Sequence, residues 1–405
     1  MRLDCVSSHA AGNAAGGMLR LHLTPRQGER FGRTDEIWFR VPADFHTHND
    51  SVAAAVLTLV GPRFSEVRFN FAISSYCAET LTRYYGLTTI GPVDAGMEPR
   101  RPGRHLALNF SGGVDSTALW VWLHDLAGLA FKVVTTHYTG SKLDEPGYRA
   151  YQRDITCETN LRKLHYDRAG RFHAAVPLLF ADYLDLWGLT SAHCYEHYPY
   201  SMERLAGGAA PHFLVHDQAL LAGGLAEVHI ARCLLEFGLN RLLVAAAPQR
   251  IAAALDASDF PGSRKRAVKS LASRAYFAQL GQEAPAWLQS VPLPEPGSGR
   301  RTSTGLHFRM LWLAKHYGAA FAAQLDPRVA EVDLRCLDDM RFDFYERYNT
   351  NLIHLMPAPY RNALLAGLHT AGILPYDEVD FEELETVLTL IESQGNPRVV
   401  DHPML

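Results

Sequence analysis

Residues 105–123 limit what this chain can fold into more than any other stretch does. His105-Leu106-Ala107-Leu108-Asn109-Phe110 is an apolar run of strand length. Ser111-Gly112-Gly113-Val114-Asp115 follows as a two-glycine turn, and Ser116-Thr117-Ala118-Leu119-Trp120-Val121-Trp122-Leu123 starts a helix abruptly. Such a turn exposes backbone N–H groups at a helix N-terminus, where unpaired donors and the helix dipole favour a phosphate. Gly112 and Gly113 permit backbone conformations closed to other residues and a close approach to the anion. Ser111, Ser116 and Thr117 add hydroxyls at the same point. The segment reads as a polyphosphate-binding loop.

The common phosphate loop needs a lysine after its last glycine, and no lysine precedes Lys132. Ser111 to Ser116, SGGVDS, instead resembles the signature of the N-type ATP pyrophosphatases, the PP-loop enzymes with an adenine nucleotide alpha hydrolase-like fold. That resemblance implies that Ser111, Gly112, Gly113, Val114, Asp115, Ser116 and Thr117 hold ATP by its β,γ-pyrophosphate. A substrate oxygen then attacks the α-phosphorus, giving an adenylated substrate and pyrophosphate, and a nitrogen or sulfur nucleophile displaces AMP. It further implies catalytic roles for Asp115 and Ser116, with Asp115 placing Mg²⁺ against the phosphates. By position alone, Asp115 also suits the first turn of the helix, where carboxylates are favoured.

The pattern from His105 to about Leu255 alternates strands with helices, which predicts a parallel sheet with helices on both faces. Strands are expected at 105–110, 131–138 and 239–246, an extended segment at 172–176, and helices at 148–164 and 216–237. Before it, residues 1–104 read as an N-terminal α/β unit with strands at 18–23, 36–41 and 67–72 and a helix at 76–85. Residues 91–103 read as a linker. After it, residues 256–405 read as a helical region, with helices at 264–280, 306–325, 337–348, 360–371 and 382–393. The run 292–301 between the first two is a flexible linker or lid by composition. Three units, 1–104, 105–255 and 256–405, suit a chain of 405 residues that is 47% hydrophobic.

The net charge of −4 carries no polyanion-binding footprint, so nucleic acid is not the expected partner. No signal peptide or bilayer-length apolar run is visible, and a cytoplasmic protein is expected, with a homodimer as one option for its assembly. The six cysteines include no C-x-x-C pair, so no structural zinc knuckle is expected. Arg2 stands where glutaminase-bearing relatives carry a catalytic cysteine, so no built-in ammonia supply is expected.

Several other residues are candidates for the chemistry. Cations must neutralise departing pyrophosphate, and Arg264-Lys265-Arg266 with Lys269 is the densest basic cluster. Arg264 and Lys265 are candidates, as is Arg301 after the flexible run; all could equally be solvated helix starts. His137, near the end of the second strand, is a candidate adenine or ribose contact. Thr159-Asn160-Leu161-Arg162 resembles a T-[DN]-L-R stretch in relatives of 7-cyano-7-deazaguanine synthase, which would put Asn160 and Arg162 near the nucleotide. The zinc cysteines of those relatives are absent here. Cys194, flanked by His193 and His197, is a candidate nucleophile if imidazolium lowers its thiol pKa. Metal ligation by the two histidines, or plain packing, are the alternatives. The expected activity is an AMP-forming ligase or sulfurtransferase using ATP, Mg²⁺, a small-molecule acceptor and a nitrogen or sulfur donor. A non-catalytic adenine-nucleotide-binding module and an RNA thiolation enzyme are the rivals.

Overall fold

The computed structural model describes residues 1–11, 16–28, 30–140, 150–168, 171–197, 218–294 and 308–393. Among the described residues the fold is α/β, built on one mixed eleven-stranded sheet. The strands are β1 Arg2–Ser7, β2 Met18–Gln27, β3 Arg30–Phe31, β4 Asp35–Arg40, β5 Glu66–Ser74, β6 Thr89–Asp94, β7 His105–Asn109, β8 Lys132–Tyr138, β9 Ile155–Thr159, β10 Leu186–Thr190 and β11 Ala226–Val228. Their spatial order is β11-β10-β7-β8-β9-β4-β2-β1-β5-β6, with β3 paired to β2. β11, β10, β7, β8 and β9 form one parallel block, and β1, β5 and β6 a second. Antiparallel pairings of β9 with β4, β4 with β2 and β2 with β1 join them.

Side-chain alternation explains the strands. In β2, Leu19, Leu21 and Leu23 are buried while Arg20 is exposed. Leu19 and Leu21 stand opposite Phe39 and Ile37 of β4, so both strands present their apolar residues to one face. In β7, Leu106 and Leu108 join one hydrophobic cluster and Ala107 the other. A central strand covered on both faces reads as an unbroken apolar run. The first cluster contains helix α3 (Val114–Val121), and the second contains α1 (Asn49–Val60), eleven of whose residues are buried.

The expected boundary near residue 104 does not interrupt the sheet, and the second cluster mixes residues from both sides of it. Asn160 forms the splice. Its Oδ1 accepts from Trp38 N at 2.9 Å, and its Nδ2 donates to Glu36 O at 2.9 Å. β4 and β9 otherwise share a single paired position, Phe39 with Thr159, and an ion pair, Arg40 to Glu158 at 3.0 Å. Arg100, inside the expected linker, is buried and donates to the carbonyls of Ala181 and Leu186 at 2.6 and 2.8 Å, and also to Gly224 O. The stretch from 91 is therefore held down, and it begins inside β6.

Other expectations change. The helix expected over 148–164 is strand β9 where it is described at 155–159, because Ile155, Cys157 and Thr159 are buried at a period of two. The extended segment at 172–176 is a 3₁₀ turn, Phe172–Ala174, leading into helix α4, Ala175–Leu179. The helix expected over 216–237 breaks at Gly223-Gly224, the latter at φ +74°. Helix α5, Gln218–Ala222, and strand β11 lie on either side of that break. The strand expected at 239–246 lies within helix α6, Glu236–Ala246, whose apolar residues are buried against other helices. Short apolar runs do not distinguish buried strand from buried helix.

Helix α7, Ile251–Ser258, crosses the expected boundary at 255. The C-terminal region is helical as expected: α8 Arg264–Gln279, α9 Phe308–Tyr317, α10 Ala319–Leu325, α11 Ala358–Thr370 and α12 Glu378–Ser393. Gly318 separates α9 from α10, and 337–348 holds short 3₁₀ turns in place of a helix. Among the described residues, no helix is long and apolar enough to cross a membrane.

Candidate active site

The two-glycine turn lies at the carboxyl end of β7, inside the parallel block, where ligands of open α/β sheets bind. Phe110 N donates to Val134 O at 2.8 Å, and Thr135 Oγ1 donates to Phe110 O at 2.8 Å, fixing the point where the chain leaves the sheet. Gly112 then adopts φ +80°, a left-handed conformation that costs an L-residue about 1–2 kcal/mol. Gly113 caps α3 with extended backbone and no side chain. A Cβ on Gly113 would lie 3.1 Å from Ser258 Oγ, so a side chain there would crowd the neighbouring helix.

The hydroxyls brace the loop. Ser116 Oγ donates to Gly113 O at 3.1 Å, Ser111 Oγ lies 3.0 Å from Ser116 Oγ, and Thr117 Oγ1 donates to Gly112 O at 3.1 Å. Ser258, at the end of α7, accepts from Val114 N at 3.0 Å and donates to Ala254 O at 2.8 Å. These contacts brace the loop in a strand–turn–helix shape. Its glycines and the other backbone N–H groups at the start of α3 suit a polyphosphate, while Val114 N and the Ser116 and Thr117 hydroxyls serve the loop's own shape.

A cation reaches the loop from α8. Lys269 Nζ lies 2.5 Å from Asp115 Oδ1 and also contacts Glu236 Oε1, at the first residue of α6. Arg309 of α9 meets the other oxygen of Glu236 at 2.5 Å. Glu196 completes the group by accepting from Glu236 N through both carboxylate oxygens, at 3.0 and 3.1 Å. Burial would depress the Lys269 ammonium, but Asp115 and Glu236 outweigh it and hold its pKa above the ordinary value. Burial raises Asp115, with Lys269 opposing and Glu236 reinforcing. The Glu196 carboxyl is pushed up to about 8, first by burial and then by the Glu236 charge.

The other candidates divide. Lys265 is exposed on α8 and near enough to Asp115 to lower its pKa. Arg264 is turned away, paired with Asp326 at 3.4 Å. Arg301 lies outside the described residues, as does most of the 292–301 run. His137 is half-buried on β8, opposite Glu158. Asn160 is not a nucleotide contact, because both of its amide atoms serve the β4–β9 splice. Arg162 stacks over Tyr138 at 3.9 Å and faces Asp167 at 3.5 Å.

Cys194 is fully buried. Its thiol is held well above the ordinary value by burial and by the charges of Glu196, Asp115 and Glu236. The expected activation by imidazolium is therefore reversed, and the thiolate is disfavoured. Tyr195–His197 is a 3₁₀ turn, so His193 and His197 do not share a helical face. Among the described residues, no group of three or more His, Cys, Asp and Glu is placed to cage a metal. A phosphate-bound Mg²⁺ would draw on Asp115, whose Oδ1 is paired with Lys269.

Sequence reasoning missed Glu236, Glu196, Arg309 and Ser258, and saw Lys269 only as part of a basic run. The signal for Lys269 was available: it sits among Ala267, Val268, Leu271 and Ala272, all buried. A lysine on an apolar face requires a buried counter-charge. Comparisons with family models, with curated proteins and with solved structures find no match for this chain.

Proposed function

We propose that this chain binds ATP through Ser111–Thr117 and forms AMP and pyrophosphate while activating a carbonyl or amide oxygen of a small molecule. The substrate oxygen forms a bond to the α-phosphorus. The bond from that phosphorus to the bridging oxygen breaks, and its electron pair leaves on pyrophosphate. A nitrogen or sulfur nucleophile then displaces AMP from the activated carbon.

One observation carries the reading. A two-glycine turn at the carboxyl end of a central parallel strand is pre-shaped by its own hydroxyls, and the buried Lys269 stands at its acidic residue. Backbone N–H groups at the start of α3 would hold the outer phosphates. Lys269, drawn from Asp115 toward the phosphates, would offset charge on the departing pyrophosphate. Mg²⁺, when bound to the phosphates, supplies further charge neutralisation.

The test is product analysis with ATP and a fractionated metabolite extract. AMP and pyrophosphate should appear in equal amounts, only with the active fraction. Ser116→Ala should lower turnover by about 10²-fold or more, the scale for removing a preorganised group around developing charge, while leaving the fold intact. ADP and inorganic phosphate as products, or unchanged turnover in Ser116→Ala, would end the proposal.

A further inference from the structure

Ser7, His9 and Asn49 come together at the carboxyl end of the other parallel block, away from the nucleotide loop. Ser7 is the last residue of β1, whose ladder with β5 ends at Cys5 and Phe69. Beyond that point Asn70 clamps the Ser7 backbone. Its Oδ1 accepts from Ser7 N at 2.8 Å, and its Nδ2 donates to Ser7 O at 3.0 Å. Ser7 Oγ lies 2.6 Å from His9 Nδ1, and His9 Nε2 lies 2.9 Å from Oδ1 of Asn49, the first residue of α1. The ring also meets Phe71 of β5 edge to face, with centroids 4.7 Å apart.

The direction of each hydrogen bond follows from the distal end. Burial holds the His9 ring below its ordinary pKa, against the Asn49 hydrogen bond, so at neutral pH the ring carries one proton. Asn49 Nδ2 donates to Ala72 O at 2.8 Å. A carbonyl only accepts, so the amide oxygen of Asn49 must be the atom that faces His9. That oxygen also only accepts, which puts the ring proton on Nε2 and leaves Nδ1 bare. Ser7 Oγ–H therefore donates to Nδ1. A hydroxyl bonded to a base whose other nitrogen is held by a third group is the arrangement that activates a serine nucleophile.

We propose that Ser7, His9 and Asn49 form a second reactive centre, which hydrolyses esters of small acyl groups and works independently of the nucleotide loop. Ser7 Oγ bonds to the acyl carbon as its proton passes to His9 Nδ1. The bond from that carbon to the leaving oxygen breaks, and the electron pair departs on the alcohol, which takes up the proton. Water then attacks the acyl-serine, gives its proton to Nδ1, and Ser7 Oγ leaves and regains it. Asn49 is a positioning residue that keeps Nδ1 facing Ser7. Ser7 is buried while His9 and Asn49 are half-buried, so the acyl group reaches the hydroxyl past the imidazole and is of acetyl size.

The experiment uses the full chain without ATP, so its outcome is separate from that of the pyrophosphate assay. The protein is mixed with p-nitrophenyl acetate, p-nitrophenolate release is followed, and acid-quenched samples are digested for mass spectrometry. The wild type should carry an acetyl group on Ser7, a readout that needs no variant. Ser7→Ala should lose the release that depends on it. His9→Gln should slow acylation about 10²-fold or more, the scale for a general base. Asn49→Ala and Asn49→Asp both lose the bond to Ala72 O, but only the aspartate keeps an acceptor for the Nε2 proton. Asn49→Ala should therefore lower kcat about tenfold or more at unchanged KM, as loss of an orienting partner does, while Asn49→Asp stays near the wild type. No acetyl on Ser7, an undiminished rate in Ser7→Ala, or equal losses in the two Asn49 variants, as a purely structural asparagine would give, would overturn the centre.

Discussion

Lys269, Glu236 and Glu196 set the electrostatics of the site residue by residue. A carboxyl whose folded pKa is about 8, against an unfolded value of about 4.3, binds a proton in the native state that the unfolded chain has released. Between those two values stability therefore falls as pH rises, by up to about 1.4 kcal/mol per pH unit for the single proton. Urea midpoints of the wild type should decline from pH 6 to pH 8, and Glu196→Gln should flatten the decline. Identical slopes for the two proteins would show that Glu196 is ionised throughout. The thiols give a second residue-scale prediction. Cys336 is exposed while Cys5, Cys77, Cys157, Cys194 and Cys233 are buried, and burial raises the Cys194 thiol. Native alkylation with iodoacetamide at pH 8, read by mass spectrometry, should label Cys336 alone. Cys194→Ala should keep pyrophosphate formation within about twofold, since a protonated buried thiol is no nucleophile.

Among the elements, β9 carries the most consequence. The sequence predicts a helix over 148–164, and the strand character of β9 rests on only five residues. What decides it is tertiary: β8 offers a parallel partner on one side and β4 an antiparallel one on the other. No local pattern announces that junction. Asn160, assigned to the nucleotide by resemblance, closes it with two hydrogen bonds. Asn160→Ala should cost about 1–3 kcal/mol, the range for leaving buried backbone groups unsatisfied. ATP affinity should be unchanged. Denaturant unfolding and nucleotide titration of one preparation separate the two, and a weakened ATP affinity at full stability would restore the earlier assignment. Elements with strong local signals were legible, such as β2, β4, α2 (Ser75–Tyr85) and α8. Each has clean alternation or a clear cap; Ser74 accepts from Cys77 N and Ser263 from Arg266 N. The segments from 172 to 246 lacked such signals. There, uniformly apolar runs broken by Gly223-Gly224 left strand and helix indistinguishable.

Across the whole molecule, the Asp115–Lys269–Glu236–Arg309 chain of charges links α3 to α6, α8 and α9. A ligand that draws Lys269 from Asp115 therefore alters the footing of three further helices. Saturating ATP at about 100 times its dissociation constant should stabilise the fold by about 2.7 kcal/mol. By hydrogen exchange, that protection should reach Glu236–Ala246 and Arg264–Gln279 as well as the loop. Protection confined to 111–121 would show that the charges do not couple the parts. The strand–turn–helix shape of the loop was legible from SGGVDS and its flanks. The network was not, because its members come from positions 115, 196, 236, 269 and 309, and only the fold brings them together.

The face of α1 has a consequence for biosynthesis. Eleven of its residues are covered, and Ser51 Oγ donates to Gly223 O at 3.0 Å, so part of its cover comes from chain made far later. As this polypeptide emerges from a ribosome, α1 stays only partly clad until codon 223 and beyond have been read. A nascent chain stalled shortly after residue 104 would be chaperone prey, and expressing that portion by itself should yield aggregates.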